Sequence, residues 1–197
     1  MLGVTLPCHS KESDKKDAHL VSNYYGFEMI NLDLTNTYDS FKEEIEKLGN
    51  FTEEELKNSD INVKPRLRMT SLYYLAALYS ALKGKTYVVA GTGNKCEIYV
   101  GYFTKGGDGV SDINVLGDLT VEEVIKIGEE LHVPEKVLYK TPDDGLSGKS
   151  DEEKLGVKYS DIAKVINNEP VDPEIKEKID RLHKNSLHKF NIPVYKK

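Results

Sequence analysis

Two glycine-rich segments carry the polar side chains that are best placed to do chemistry. The first, residues 91–97, reads G-T-G-N-K-C-E and follows an apolar run. It therefore predicts a turn at the carboxyl end of a strand, where open α/β sheets bind their ligands. The spacing matches neither the GxxxxGK[ST] phosphate loop nor GxGxxG. On pattern alone, a ligand-binding turn and a plain strand-to-helix turn are equally good interpretations.

The second glycine-rich segment, residues 101–109, reads G-Y-F-T-K-G-G-D-G, and it continues into Asp112, Gly117 and Asp118. A loop so rich in glycine that also holds both charge signs indicates a site for a polar ligand. The plainer interpretation is a compact surface loop. Two such segments within about thirty residues favour a binding site over the loop interpretation.

The elements that must position these segments alternate between strands and helices. Apolar runs predict strands at residues 2–6, 29–34 and 86–90, and apolar residues at helical spacing predict a helix over 66–82. Helix starts are predicted at the capping residues Thr120, Ser150 and Asp172. Residues 141–149 read as a loop. This order predicts a doubly wound α/β fold with a parallel sheet and a helical C-terminal tail.

Composition limits the function classes. The chain has 197 residues and no long linker, which predicts one domain over 1–197. Its net charge of -6 and pI of about 5.5 argue against nucleic-acid binding, and no apolar run is long enough to span a membrane. Cys8 and Cys96 form no CxxC pair, which favours a reducing, cytoplasmic setting and inert thiols. Four histidines lack metal-ligand spacing: His9, His19, His132 and His183.

Several motifs together closely resemble bacterial NAD synthetases. Residues 91–105 and 107–109 match the family's most specific stretch. Further matches follow in the family's order at residues 6–8, 14–18, 62–69, 144–156 and 188–189. The resemblance covers nearly the whole chain, and it implies the adenine-nucleotide alpha-hydrolase-like fold of the ATP pyrophosphatase type.

This resemblance implies a carbon–nitrogen ligase of NAD biosynthesis. Members of the family use ATP to adenylate the carboxylate of deamido-NAD (nicotinic acid adenine dinucleotide), and pyrophosphate leaves. Ammonia then displaces AMP and gives the amide. The family works as a homodimer, and its catalysis depends on positioning, Mg²⁺ and stabilisation of phosphate charge.

The resemblance also assigns roles to individual residues. Thr92 matches an ATP contact, and Glu97 matches a ligand of Mg²⁺, which prefers carboxylates. Contacts to deamido-NAD are implied for Arg66, Lys105, Asp112, His188 and Lys189. No residue is assigned as a catalytic acid, base or nucleophile. Taken without the resemblance, Arg66 and Glu97 read as solvated helix residues and the His-Lys pair as part of a polar tail.

The chain departs from the family's pattern at the ATP phosphates. It contains no S-G-G-x-D-S loop, and Met1 falls where the family's second strand begins. We therefore expect an N-terminally shortened chain with uncovered strand edges inside its sheet, or a remnant that no longer catalyses; an upstream glutaminase domain is not excluded. Val121 and Asp143 also replace residues that contact ATP in many members.

Two other functions remain open from the sequence. One is a non-catalytic module that holds the dinucleotide or a partner subunit, which magnesium-dependent ATP binding would distinguish from a catalyst. The other is a different ATP pyrophosphatase, such as a GMP-synthetase-like enzyme. The T-K-G-G-D-G run at residues 104–109 argues against the second alternative.

Overall fold

The computed structural model describes residues 1–142, 150–192 and 194–196. In chain order the elements are β1 (Leu2–Thr5), α1 (Glu12–Tyr25), β2 (Glu28–Asn31), α2 (Thr35–Glu46), α3 (Glu53–Asp60), α4 (Val63–Lys83), β3 (Ala90–Gly91), α5 (Lys95–Val100), β4 (Ile113–Asn114), α6 (Val121–Glu130), α7 (Glu135–Leu138), α8 (Asp151–Leu155), α9 (Tyr159–Ile166), α10 (Pro173–Ser186) and a 3-10 segment (Leu187–Lys189). The α/β class with parallel strands and a helical C-terminal part is confirmed.

The first βαβ unit forms as predicted. β1 and β2 are parallel, with Leu2 opposite Glu28 and Thr5 opposite Asn31, and α1 makes the crossover between them. Gly26 ends α1 in the left-handed conformation at φ 67°, which costs glycine little. Both strands are shorter than their apolar runs, because a residue can be apolar without taking part in a ladder.

The strand predicted over residues 86–90 is wrong for most of its length. Only Ala90 and Gly91 form a strand, β3, which pairs in parallel with β4. The preceding N–H groups are bound by side chains instead: Tyr87 N–H donates to Ser80 Oγ at 2.8 Å, and Val89 N–H donates to Asp112 Oδ2 at 2.7 Å. These bonds leave no regular ladder for that run.

The parallel strands do not form one continuous sheet in the described residues. They form two two-stranded sheets, β1–β2 and β3–β4. A groove of about 630 Å³ separates β1 from β3, and its walls include Val4 and Leu6 on one side and Val89 on the other. Met69 and Leu72 of α4 also line this groove, which we call the inter-sheet groove.

The buried hydrophobic residues other than Val89 fall into two clusters of different size. The C-terminal cluster packs α5, α9 and α10 together and comprises Cys96, Val100, Leu155, Val157, Tyr159, Ile162, Ala163 and Ile179. The N-terminal cluster comprises Cys8, Leu34 and Tyr38. Both thiols are buried and burial raises the pKa of each, which supports the prediction of inert cysteines.

The long helix α4 confirms the periodicity that predicted it, yet it is not a core helix. None of its 21 residues is buried. Tyr74, Leu78 and Leu82, which share one face, are 71%, 49% and 69% exposed. No helix among the described residues has the length and apolar character that crossing a membrane requires.

The predicted helix starts are confirmed. Thr120 and Ser150 each form a capping box with the glutamate three residues later, and Asp172 accepts hydrogen bonds from the first turn of α10. A further box at Thr52 opens α3. Most of the loop predicted over 141–149, including Asp143, lies outside the described residues.

Candidate active site

The turn after β3 is held by reciprocal capping bonds. Asn94 Oδ1 accepts from the N–H groups of Cys96 at 2.9 Å and Glu97 at 3.0 Å, and Glu97 Oε2 accepts from Asn94 N–H at 2.9 Å. Gly91 starts the turn where a Cβ would lie 2.6 Å from Ser111 Oγ, so a side chain does not fit. The turn therefore exposes Thr92 next to the N-terminus of α5.

Glu97 sits in electrically unfavourable surroundings for a carboxylate. Desolvation by burial raises its pKa first of all, and the nearby carboxylates of Asp151 and Asp108 raise it further. A bound cation would relieve both effects, and an oxygen donor of this kind suits Mg²⁺. Within the described ranges there is no group of three or more metal-binding side chains. With the described residues alone, water or substrate oxygens would be needed beside Glu97 to complete the coordination of Mg²⁺.

The second glycine-rich segment, Gly101–Gly109, forms a closed loop that we call the glycine loop. Asp108 Oδ1 accepts from Thr104 N–H at 3.0 Å, and Gly109 N–H donates to Thr104 O at 3.3 Å. The buried Thr104 also donates its hydroxyl to Asn62 Oδ1 at 2.8 Å, next to the start of α4. The loop conformation is therefore fixed both internally and against α4.

Three of the residues assigned to the substrate come from distant parts of the chain and are linked by hydrogen bonds. Arg66 donates from Nε and from Nη2 to Lys105 O, both at 3.3 Å. Lys105 Nζ in turn donates to His188 O at 2.6 Å. The fold therefore gathers α4, the glycine loop and the 3-10 segment at one place, although 83 residues separate Lys105 from His188.

Lys189 points to the backbone of the glycine loop. Its Nζ donates to Gly101 O and to Phe103 O, both at 2.6 Å, and lies 5.0 Å from the centroid of the Phe103 ring. Burial lowers its pKa. These carbonyls follow the end of α5, where backbone acceptors are left over and a cation is favourable.

Asp112 binds within the protein through both carboxylate oxygens. Oδ2 accepts from Val89 N–H at 2.7 Å, and Oδ1 accepts from the Tyr73 hydroxyl at 3.4 Å. It therefore joins α4 to the entrance of β3. Its assignment as a substrate contact stays a prediction, and the structure adds this supporting role.

The inter-sheet groove brings some of the assigned residues to one cavity. The assigned residues Thr92 and Lys189 line it, together with Thr104 and Asp108 of the glycine loop. The linked residues Arg66, Lys105 and His188 are not part of its lining. The glycine loop thus separates an apolar groove from a cationic outer side.

A second cavity, missed by the sequence analysis, lies at the carboxyl ends of β1 and β2. This strand-end pocket has a volume of about 640 Å³. Arg68 lines it and donates to Leu6 O at 3.0 Å and to Ser10 Oγ at 3.2 Å. Because Leu6 and Arg68 also line the inter-sheet groove, they form a wall between the two cavities. Polar residues a few positions after each strand, His9 and Ser10 after β1 and Asp33 after β2, could have indicated this pocket.

A network of ion pairs joins α1 to α7 beside the strand-end pocket. Lys140 Nζ lies 2.8 Å from Asp14 Oδ1 and 2.9 Å from Asp17 Oδ2, and Lys136 Nζ lies 2.7 Å from Asp17 Oδ1. Hydrogen bonds from Lys136 and then Lys140 lower the pKa of Asp17, while the same network raises the pKa of Lys140 to about 12. The network fixes Lys140, which lines the pocket.

The model of a protein family described as NAD synthase matches residues 1–193 of this chain. The chain belongs to the NAD synthase family. It is 38% identical to the NH(3)-dependent NAD(+) synthetase of Carboxydothermus hydrogenoformans over 98% of this chain and 76% of that protein. It is 37% identical to the synthetase of the same name from Alkaliphilus metalliredigens, over 98% of this chain and 77% of that one.

Solved structures agree with membership of the NAD synthase family. The structure of the NMN synthetase from Francisella tularensis has a TM-score of 0.88 and 31% identity, covering 99% of this chain and 78% of that one. The NH3-dependent NAD synthetase from Campylobacter jejuni has a TM-score of 0.69 and 24% identity, covering 100% and 77%, and it supports the fold alone.

The departure at Val121 has a structural counterpart in this member of the NAD synthase family. Val121 is the first residue of α6, and it packs, partly buried, against the C-terminal cluster. Its side chain therefore adds apolar contact where many relatives are expected to offer a lysine to ATP. The companion departure, Asp143, lies outside the described residues.

Proposed function

We propose that this chain is an ammonia-dependent NAD synthase. The observation that carries the proposal is the linkage of Arg66, Lys105 and the 3-10 segment around the glycine loop, in a chain that matches the family over residues 1–193. Neither the non-catalytic module nor the GMP-synthetase-like enzyme is favoured by these matches.

The proposed reaction has two steps. A carboxylate oxygen of deamido-NAD attacks the α-phosphorus of ATP, and the bond to pyrophosphate breaks. Ammonia then attacks the carbonyl carbon, loses a proton, and AMP leaves with the electrons of the broken carbon–oxygen bond. Carboxylates are poor electrophiles, so adenylation supplies the leaving group that direct attack lacks.

The assigned residues fall into a group for deamido-NAD and a residue for ATP. We assign Arg66, Lys105, Asp112, His188 and Lys189 to the deamido-NAD side of the site. The cations among them suit a substrate with two phosphates and a carboxylate. Thr92, exposed in the turn after β3, is assigned to ATP.

Magnesium fits this arrangement through Glu97. The raised pKa of Glu97 reflects burial and neighbouring negative charge, which a divalent cation would offset. Bound Mg²⁺ would neutralise phosphate charge during transfer. The role of the protein is to hold that carboxylate in the capped turn after β3, where Asn94 N–H fixes one of its oxygens.

A second candidate substrate is the deamidated mononucleotide, in which case the product is NMN. The 31% identity and TM-score of 0.88 to the NMN synthetase from Francisella tularensis support this candidate. The two candidates share the reaction and differ only in whether the site accepts an adenylate half.

We also propose a cytoplasmic homodimer. The exposed apolar face of α4, formed by Tyr74, Leu78 and Leu82, is the candidate contact surface. Exposed apolar faces of this kind usually mark association surfaces. Analytical ultracentrifugation should therefore give a dimer for the unchanged chain and a monomer for Leu78→Glu.

The activity test is product formation by the 197-residue chain with ATP, Mg²⁺ and ammonium. Deamido-NAD and nicotinic acid mononucleotide are offered in separate reactions, and amide and AMP are quantified together. AMP and amide in equal amounts, with a larger kcat/KM for deamido-NAD, support an NAD synthase. A larger value for the mononucleotide supports the second candidate.

The control is Glu97→Gln, which keeps the shape of the side chain but removes the charge offered to Mg²⁺. We expect its activity to fall by at least about tenfold and its apparent Mg²⁺ requirement to rise. A folded chain that forms no amide from either acid would contradict the proposed function. Activity that does not depend on Mg²⁺ would contradict the role of Glu97.

A further inference from the structure

The 3-10 segment and the glycine loop each contribute a lysine side chain that binds the backbone of the other. The side chain of Lys189 binds the loop carbonyls of Gly101 and Phe103, and the side chain of Lys105 binds the segment carbonyl of His188, each bond at 2.6 Å. The loop thus donates to the segment and the segment donates to the loop. No β-ladder joins these two described stretches. Together they fix the position of the loop against the C-terminal segment.

Apolar packing reinforces these bonds. The rings of Phe103 and Phe190 meet edge to face, with centroids 5.4 Å apart. Next to them, Ser186 lies so close to Gly101 that a Cβ on Gly101 would overlap its side chain. The loop and the end of α10 are therefore fitted closely at both ends of the contact.

Lys189 is the central group in this contact. It is partly buried, its ammonium donates to two carbonyls, and it also lies over the Phe103 ring. Bonds this short to two acceptors occupy two of its three hydrogens. An ammonium held in this way acts chiefly on the loop, while the side chain of Lys105 and the carboxylate of Asp108 lie farther along the same loop.

We propose that Lys189 is a positioning residue that sets the conformation of the glycine loop and, through it, the affinity for the acid substrate. This inference rests on the proposed function and deepens it. The ammonium acts here through Gly101 and Phe103, and this role is separate from the contact with deamido-NAD that the family resemblance implies for Lys189.

The test compares Lys189→Met, which keeps the length of the side chain, with Lys189→Arg, which keeps a donor cation. Both are made in the 197-residue chain, and Lys184→Met provides the control because Lys184 is an exposed lysine near the same end of α10. Limited trypsin digestion under native conditions is followed by mass spectrometry at the Lys105–Gly106 bond. Steady-state kinetics give KM for deamido-NAD and for ATP separately.

We expect Lys189→Met to be cut after Lys105 at least about tenfold faster than the unchanged chain, because the loop loses its two bonds to the ammonium. KM for deamido-NAD should rise by a similar factor, with KM for ATP little changed. Lys189→Arg should restore most of the protection, and Lys184→Met should match the unchanged chain in both readouts.

Two results would overturn the proposal. A raised KM with unchanged cleavage after Lys105 would mean that Lys189 contacts the substrate directly. Equal cleavage rates with unchanged KM would mean that the contact does not order the loop. Trypsin protection is measured without any turnover. If the unchanged chain is inactive but protected at Lys105, and Lys189→Met loses that protection, the proposed function is contradicted and the ordering of the loop by Lys189 is still supported.

A milder variant keeps the test decisive if Lys189→Met does not fold. Phe190→Ala removes only the ring that packs against Phe103 and leaves the ammonium in place. Faster cleavage after Lys105 in this variant supports the proposal that the 3-10 segment orders the glycine loop. Cleavage at the rate of the unchanged chain refutes it.

Discussion

The N-terminal region, residues 1–83, and the C-terminal region, residues 90–190, differ in how they bury apolar surface. The N-terminal cluster has three buried hydrophobic residues, and the region's longest helix, α4, has no buried residue. The C-terminal cluster has eight, contributed mainly by helices packed on one another. Buried apolar area is the main favourable term in folding, so the two regions should differ in stability.

The difference separates two kinds of site. The glycine loop and its cations are supported by the better packed region, where α5 and α10 meet. The strand-end pocket lies on the less buried region and is held mainly by polar contacts, such as the network around Asp17 and Lys140. We therefore expect the substrate side to be the more rigid half of the site.

The largest expected effect comes from the C-terminal cluster. Ile179→Ala, at a residue that is 0% exposed, should lower the free energy of unfolding by about 2–5 kcal/mol. Leu34→Ala, in the N-terminal cluster, should cost less because that small site can collapse around the change. Urea unfolding followed by circular dichroism measures both. Equal losses would remove the contrast between the regions.

Two glycines that end helices in the left-handed conformation sharpen the contrast. Backbone strain alone should lower the free energy of unfolding of Gly101→Ala by about 1–2 kcal/mol. The total loss should be larger, because the added Cβ also overlaps Ser186. Gly84→Ala, at the end of α4, should cost the strain alone, since nothing lies within 4 Å of the new Cβ. Thermal unfolding of both variants gives the comparison, and a larger loss at Gly84 would contradict it.

Matched capping boxes provide a smaller test. Thr120→Ala removes the cap of α6, which packs partly against the C-terminal cluster, and should cost about 1 kcal/mol. Thr52→Ala removes the same box from α3, which has no buried residue, so local fraying should replace most of the global loss. Hydrogen exchange should show fast amides confined to α3 in the second variant. A global loss at Thr52 as large as that at Thr120 would argue against the difference.

The smallest expected effect depends on pH. The pKa of Asp17 is lowered below its usual 3.8, so its ion pairs stabilise the folded state above that value and are lost as pH falls through the lower folded pKa. Asp17→Asn should therefore flatten the acid side of the stability profile. Urea midpoints between pH 2 and pH 7 measure this. An unchanged acid limb would mean that the network between α1 and α7 does not stabilise the fold.

Local signals in the sequence were sufficient for elements whose causes are local. The capping boxes at Thr120 and Ser150 and the helical spacing of α4 predicted their helices correctly, because caps and periodicity act within a few residues. The strand over residues 86–90 failed because side chains outside the run bind N–H groups that a ladder would need. Ser80 lies seven residues before Tyr87, and Asp112 lies 23 residues after Val89.

The site was predictable in its residues but not in its contacts. Motifs identified Lys105 and Lys189 without showing that each binds the backbone of the other's segment. That arrangement depends on a sequence separation of more than eighty residues, which no local pattern encodes. The strand-end pocket was missed for a similar reason, since its lining is assembled from four separate stretches of chain.

The wall formed by Leu6 and Arg68 has a thermodynamic consequence. Two cavities on either side of one movable side chain are energetically linked whenever an occupant shifts that side chain. If filling the inter-sheet groove displaces Arg68 and changes the affinity of the strand-end pocket by some factor, filling the pocket changes the affinity of the groove by the same factor. A fixed order in which ligands fill the two cavities would then reflect binding rates, because the total binding free energy is the same for either order.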